Sequence, residues 1–197
     1  MKKFVFKYLL TLALFVGLIG GGVLAASAPT VEIVEIAWSG TSASWADEWI
    51  ELRNPTEEEV DLTGWSLSWE GVRIPLGEAT KSTVEVNNSV IGPGEVFLLE
   101  RTDDETVSSV KADLIFKGSL SNSGEKLVLK DDEGNELEVV DATEGWLAGT
   151  SSDGEPGYAS MELLNGEWRT HEEPGEQKDA NENPIYGSPG EPSEEVE

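Results

Sequence analysis

Residues Glu48–Leu67 read EWIELRNPTEEEVDLTGWSL, and the fold turns on how this stretch is taken. Trp49, Ile50 and Leu52 supply a strand, with Glu51 and Arg53 alternating outward. Asn54-Pro55-Thr56 ends it, because proline has no ladder donor and restricts the residue before it. Glu57, Glu58 and Glu59 form a solvated loop, since charge runs usually face water. Gly64 permits a tight turn, and buried Trp65 and Leu67 anchor the next strand. The stretch is the corner of a β-sheet and not a chemical site.

The same grammar extends in both directions. VEIVEI (Val31–Ile36) is a first strand. Val60–Leu62, Trp65–Trp69, Val72–Pro75 and Thr83–Val86 follow the corner. Glu95–Arg101 starts after the Gly92-Pro93-Gly94 turn, and Asp113–Phe116 is short. Lys126–Asp141 is a hairpin whose tip, Asp132-Glu133-Gly134-Asn135, tolerates the positive φ of a tight loop. Tyr158–Leu164 is the last candidate strand. No window after residue 30 repeats apolar residues at i, i+3, i+4 and i+7 over three turns, so no helix is expected. Short strands spaced by about 8–12 residues predict an all-β sandwich or barrel over residues 30–170. Residues 171–197 hold nine acids, one lysine and four prolines. Such a segment offers little apolar surface against its ordering entropy and is expected to be mobile.

The N-terminus has a different character. Lys2, Lys3 and Lys7 precede an apolar run from Tyr8 to Ala25 and then small residues, the layout of a secretory signal. Cleavage is expected after Ala25 or Ala26, giving a leader of residues 1–25 and an exported chain, extracellular or held at the cell envelope. The alternative is a retained anchor helix, which three consecutive glycines weaken. The chain has no cysteine, which removes thiolate catalysis, zinc–thiolate sites and lipid attachment through cysteine. A chain of ~150 residues buries enough surface to fold without disulfides. There are 39 acidic and 13 basic residues, and loss of the leader takes the formal charge from −26 to −29. That surface repels phosphate backbones and anionic membranes. Solubility, life in high salt and attraction of divalent cations are the remaining explanations.

Candidate chemistry is sparse. The single histidine, His171, falls in the acidic C-terminal segment, and no G-x-S-x-G is present, so a Ser-His-Asp triad has no basis. A carboxylate hydrolase needs only two acids at a set separation, but abundant acids make any one pair uninformative. Calcium takes six to eight oxygen ligands, and Asp131, Asp132, Glu133 and Asn135 cluster at the hairpin tip. They do not fit the twelve-residue EF-hand loop, and hairpin tips favour these residues for turn reasons alone. No other cofactor is indicated. Seven tryptophans are many for this length. Trp49 and Trp65 read as core. Trp38, Trp45 and Trp69 lie near loops and are the candidates for an exposed ligand- or sugar-stacking surface.

Several motifs together carry a resemblance. EWIELRNPTEEEVDLTGW resembles the signature of the lamin tail domain family. Ile91–Glu95 is similar to its "PG" turn, and Leu120–Leu127 to its "LSN-GD-L" segment. Ala159-Ser160-Met161-Glu162 resembles a "SMER" motif with Leu163 in place of the arginine. Gly187–Pro192 resembles the terminal "TPG-PN". The resemblance implies an immunoglobulin-like β-sandwich with no catalytic set of its own, serving protein contacts. Exported prokaryotic relatives of this type imply an interaction or scaffolding module with a protein or envelope partner. A glycan- or calcium-dependent adhesion module is the alternative, and a carboxylate hydrolase the second. The acidic charge disfavours the chromatin role associated with nuclear members.

Overall fold

The computed structural model describes residues 31–191, which form thirteen strands and no helix. The leader expected at residues 1–25, with its cleavage site, and the end of the 187–192 motif lie outside them. The larger sheet runs β13 (Glu167–Thr170), β12 (Met161–Leu164), β1 (Glu32–Ala37), β2 (Trp49–Arg53), β8 (Val96–Arg101), β9 (Leu114–Phe116) and β6 (Thr83–Val86). All neighbours are antiparallel except β8 and β9, which are parallel. The second sheet runs β11 (Glu136–Asp141), β10 (Lys126–Lys130), β4 (Ser66–Trp69) and β5 (Val72–Pro75). A small third pairing joins β3 (Val60–Asp61) to β7 (Val90–Ile91). The architecture is the expected immunoglobulin-like β-sandwich.

Alternation builds the core. Ile33, Ile36, Ile50, Leu52, Phe97 and Leu99 face inward from the larger sheet. Leu67, Ile74, Leu127 and Leu129 meet them from the second, and all of these side chains are fully buried. At ~2 kcal/mol for each fully buried aliphatic or aromatic side chain, this layer supplies the main favourable term. A register shift between Ile33 and Glu35 restores the in–out alternation around Val34.

The corner forms as the sequence predicts, with one addition. Glu57, Glu58 and Glu59 are exposed. Gly64 turns at φ +86°. Proline is only half of what ends β2. Asn54 is fully buried, and its amide donates to the carbonyls of Glu58 (2.6 Å) and Ile91 (3.0 Å). Its side-chain oxygen accepts from the Thr56 amide and hydroxyl. Every polar atom of the buried side chain is used, as burial demands.

The C-terminal segment departs from expectation. Residues 171–191 were expected to be mobile; instead they lie as a strap over the outer face of the larger sheet. Ile185 is buried with Ala37, Trp49, Leu98, Val107, Ala112 and Ile115 in a second apolar cluster on that face. Glu51, expected to alternate into water, is therefore buried. Glu35 and Glu162 lie beneath the strap with it, both below one-tenth exposure. These carboxylates hold the strap down. The Ser188 amide donates to Glu35 at 3.0 Å, and the Ser188 hydroxyl lies 3.1 Å from both Glu35 and Glu162, with one proton shared between the two carboxyl groups. The Gly190 amide donates to Glu51. Gly187 is needed for the approach, because a Cβ there would stand 2.6 Å from the Glu35 carboxylate and 2.7 Å from the Trp49 ring.

Candidate interaction surface

The residues that the sequence marks are brought together as braces. Glu48, the first residue of the corner signature, accepts from the Leu120 amide at 2.8 Å and from Arg101 at 3.1 Å. Burial pushes its carboxyl up to about 7 against those bonds. It ties β2 to the Leu120–Leu127 segment. Glu35 and Glu162 tie the strap to β1 and β12. Burial raises Glu35 to about 7, with donation from Ser160 and Ser188 opposing. His171 is half-buried, its Nδ1 3.0 Å from Glu162, and that hydrogen bond raises its pKa. Glu35 and Glu162 sit beneath the strap and not in a cleft, which is a poor arrangement for two carboxylates to flank a substrate.

Two of the three tryptophans expected at the surface are not there. Trp38 is 7% exposed, donates from Nε1 to the Ala148 carbonyl at 3.0 Å, and stacks on Trp146 with centroids 5.9 Å apart. Trp69 is 5% exposed, donates to the Ser119 carbonyl at 2.9 Å and meets Phe116 edge-on. Both lie near loops in sequence, but the loops fold over them and supply the acceptor that a buried indole needs. Trp45 is 70% exposed.

Trp45 belongs to a braced cluster of loops. The Arg101 guanidinium sits 5.0 Å from its ring centroid while pairing with Glu48. The ring is thus held over a fixed cation. In the same loop, Thr41 donates to Asp47 at 2.8 Å, and Ser42 donates to Asp179 of the strap at 2.7 Å. Burial raises Asp47, with the charges of Asp103 and Asp179 adding to it. Asp179 is buried and nevertheless lowered: burial pushes it up, and donation from Asn183, Ser42 and Asn181 outweighs that. Ser108 donates to the Lys178 carbonyl at 2.9 Å, joining the β8–β9 loop to the strap. Beneath the β1–β2 loop lies a cavity of about 130 Å³ walled by Trp49, Tyr158, Ile185 and Tyr186. Nothing in the sequence signals it, because its walls come from three segments far apart in the chain.

The hairpin tip is closed by its own bonds. Asp131 accepts from the Asn135 amide and side chain, each at 2.8 Å, and Asn135 also reaches Glu133 at 3.3 Å. Those donors hold Asp131 below the usual carboxylate range, the Asn135 side chain most. Asp132 lies beside Gly64, whose added Cβ would meet it at 3.0 Å. Among the described residues, no group of three or more histidine and carboxylate side chains is placed to hold a metal ion.

Comparison with known proteins adds one finding to this geometry. No curated protein matches the chain. The family model named Lamin Tail Domain matches residues 25–144, more than half of the sequence. The match takes in the corner, the Ile91–Glu95 turn, the Leu120–Leu127 segment and the hairpin. The chain belongs to the lamin tail domain family.

Proposed function

We propose that this chain is an exported, non-catalytic interaction module that presents the Trp45 loop cluster to a protein or cell-envelope partner. The observation that carries this reading is Trp45 itself. It is a large aromatic side chain, mostly exposed, seated over an arginine that a buried glutamate fixes. Tryptophan and arginine are the residues that most often dominate binding energy at protein interfaces. A pre-set ring also loses less conformational freedom on binding than a free one. Family membership supports an interaction role, since the immunoglobulin-like fold is typically non-catalytic. The leader-like N-terminus supports export, to the extracellular space or the envelope. The acidic surface disfavours nucleic acid and anionic lipid.

Trp45→Ala is the test. The purified wild-type chain should co-sediment with envelope fragments of its own source, and the variant should lose at least about tenfold in affinity, as expected for an anchoring aromatic residue. Unchanged co-sedimentation would remove Trp45 from the contact. N-terminal sequencing of the exported chain should begin at Ala26 or Ser27; an intact Met1 would overturn the cleaved leader.

A further inference from the structure

Each of the two larger sheets has two outer strands, and an outer strand presents backbone groups to which another chain can pair. Three of the four are blunted. β11 carries Glu136, Glu138 and Asp141 and no cation, so a second copy would bring only acid to it. β6 carries Glu85 as its one charge. β5 carries Arg73 as its one charge and ends at Pro75, which has no donor. β13 is different. It reads EWRT, with Glu167 and Arg169 exposed and two residues apart on one face.

The hydrogen-bond phase of β13 decides how its edge can be met. Across the β12 pairing, the His171 amide donates to the Ser160 carbonyl at 3.1 Å, and Arg169 lies opposite Glu162. Backbone groups alternate in direction along an antiparallel strand. Glu167, Arg169 and His171 therefore aim theirs at β12, and Trp168 and Thr170 aim theirs outward, where no described strand pairs. Approach at the turn is open, because a Cβ added to Gly166 would meet nothing within 4 Å. The edge also has an apolar component. Trp168 is half-buried, and Leu147, more than half exposed, lies beside it with Ala148 in an open groove.

A two-fold axis through Trp168 sets this residue against Trp168 of a second copy. Glu167 then faces Arg169 of the second copy, and Arg169 faces its Glu167. The two Trp168 residues exchange a pair of backbone hydrogen bonds. Within one chain Arg169 already pairs with Glu167 at 3.1 Å, both side chains more than half exposed. Each acid would thus lie between two arginines, and each arginine between two acids. The next positions on that face, His171 and Asn165, bring no like charges together. A two-fold interface must be self-complementary, and Glu-Trp-Arg is self-complementary about its centre. We propose that β13 is a homodimer edge, at which two copies of this chain join antiparallel and their seven-stranded sheets become continuous. The formal charge of −26 opposes association at long range. Salt at physiological strength screens it beyond about 8 Å, whereas the edge pairs are in contact. The contact is small, so the dimer is weak, with a dissociation constant on the order of 0.1 mM. The Trp45 loop cluster takes no part in it.

Sedimentation equilibrium of the purified chain at about 0.15 M NaCl, from about 0.01 to 1 mM protein, reads the association. The wild type should pass from monomer to dimer over that range. Glu167→Arg and Arg169→Glu alter exposed side chains and should leave the monomer folded. Each sets like charges face to face and should weaken self-association about tenfold or more. Mixed together, the two variants should pair with each other, and a chain carrying both changes should self-associate again, each within about threefold of wild type. Trp45→Ala should dimerise as the wild type does. A wild type that stays monomeric throughout would overturn the proposal. So would a dimer that the single variants retain, a mixture that does not pair, a double variant that stays monomeric, or a dimer that Trp45→Ala abolishes.

Discussion

Replacing Glu100 with glutamine should leave stability nearly unchanged in acid and raise it in alkaline solution. Glu100 is fully buried on the strap side of β8. One carboxyl oxygen accepts from the Val107 amide at 3.3 Å, and the other has no partner among the described residues. Burial, with Asp104 adding to it, pushes its pKa from 4.5 up to about 8. Between those values the folded chain holds a proton that the unfolded chain has lost, so stability falls as pH rises through the window. The full displacement corresponds to a ceiling of about 5 kcal/mol. Glutamine keeps the shape and cannot ionise. Near pH 5 the wild-type side chain is neutral, and the variant should lie within about 1 kcal/mol of it. Near pH 9 the variant should be the more stable by about 2–4 kcal/mol. Urea denaturation at fixed salt, at about pH 5, 7 and 9, measures both. Parallel stability curves for the two proteins would refute the reasoning, because Glu100 would then ionise in the folded state without cost. The wild-type curve should also slope downward overall. Burial holds Glu35, Glu48 and Glu138 near 7 and Glu51 well above the usual range. His171, raised by its bond to Glu162, contributes stability that is present below the unfolded pKa and lost above the folded one, in the same direction.

Three further expectations test the strap and the hairpin tip. Gly187→Ala should cost about 1–3 kcal/mol in urea, since the new Cβ would be wedged between the buried Glu35 carboxylate and the Trp49 ring; an unchanged midpoint would mean that the strap does not pack there. A chain ending at Thr170 should lose about 3 kcal/mol or more, because it uncovers Trp49 and removes the Ser188 and Gly190 donors. It should also show a flatter pH curve, as Glu35 and Glu51 regain water. At the tip, Asp131 is already satisfied by Asn135, so calcium at about 1 mM should leave the melting midpoint of both wild type and Asp132→Asn unchanged. A rise of several degrees in the wild type alone would make the tip a calcium site.

Most of the sandwich is legible in the sequence because its inner face follows a period of two. Ile50, Leu52, Phe97 and Leu99 announce their side of the sheet, and β5 and β6 fall on the expected residues. What escapes is short or remote. β7 is two residues long, and β13 alternates only half-buried Trp168 and Thr170 with exposed Glu167 and Arg169. The outer face misleads for a different reason. Glu35, Glu51 and Glu162 look solvent-facing by alternation, and residues 171–191 look mobile by composition. Each reading omits the other segment. The strap buries little apolar surface beyond Ile185 and Pro189 and is held by backbone and hydroxyl donors to carboxylates, which composition does not count. The same blindness affects the tryptophans. Trp38 and Trp69 find acceptors on Ala148 and Ser119, far along the chain. The cavity beside Trp49 is assembled from equally distant loops.

Photo-crosslinking at the loop cluster tests the central claim most directly. A benzoyl-phenylalanine placed at Trp45 should give a discrete, saturable adduct with the partner proposed above for the loop cluster, suppressed by excess wild-type protein. The same group at Val139, which is exposed on β11, should give none. Identical adducts at both positions, or none at Trp45, would contradict the account.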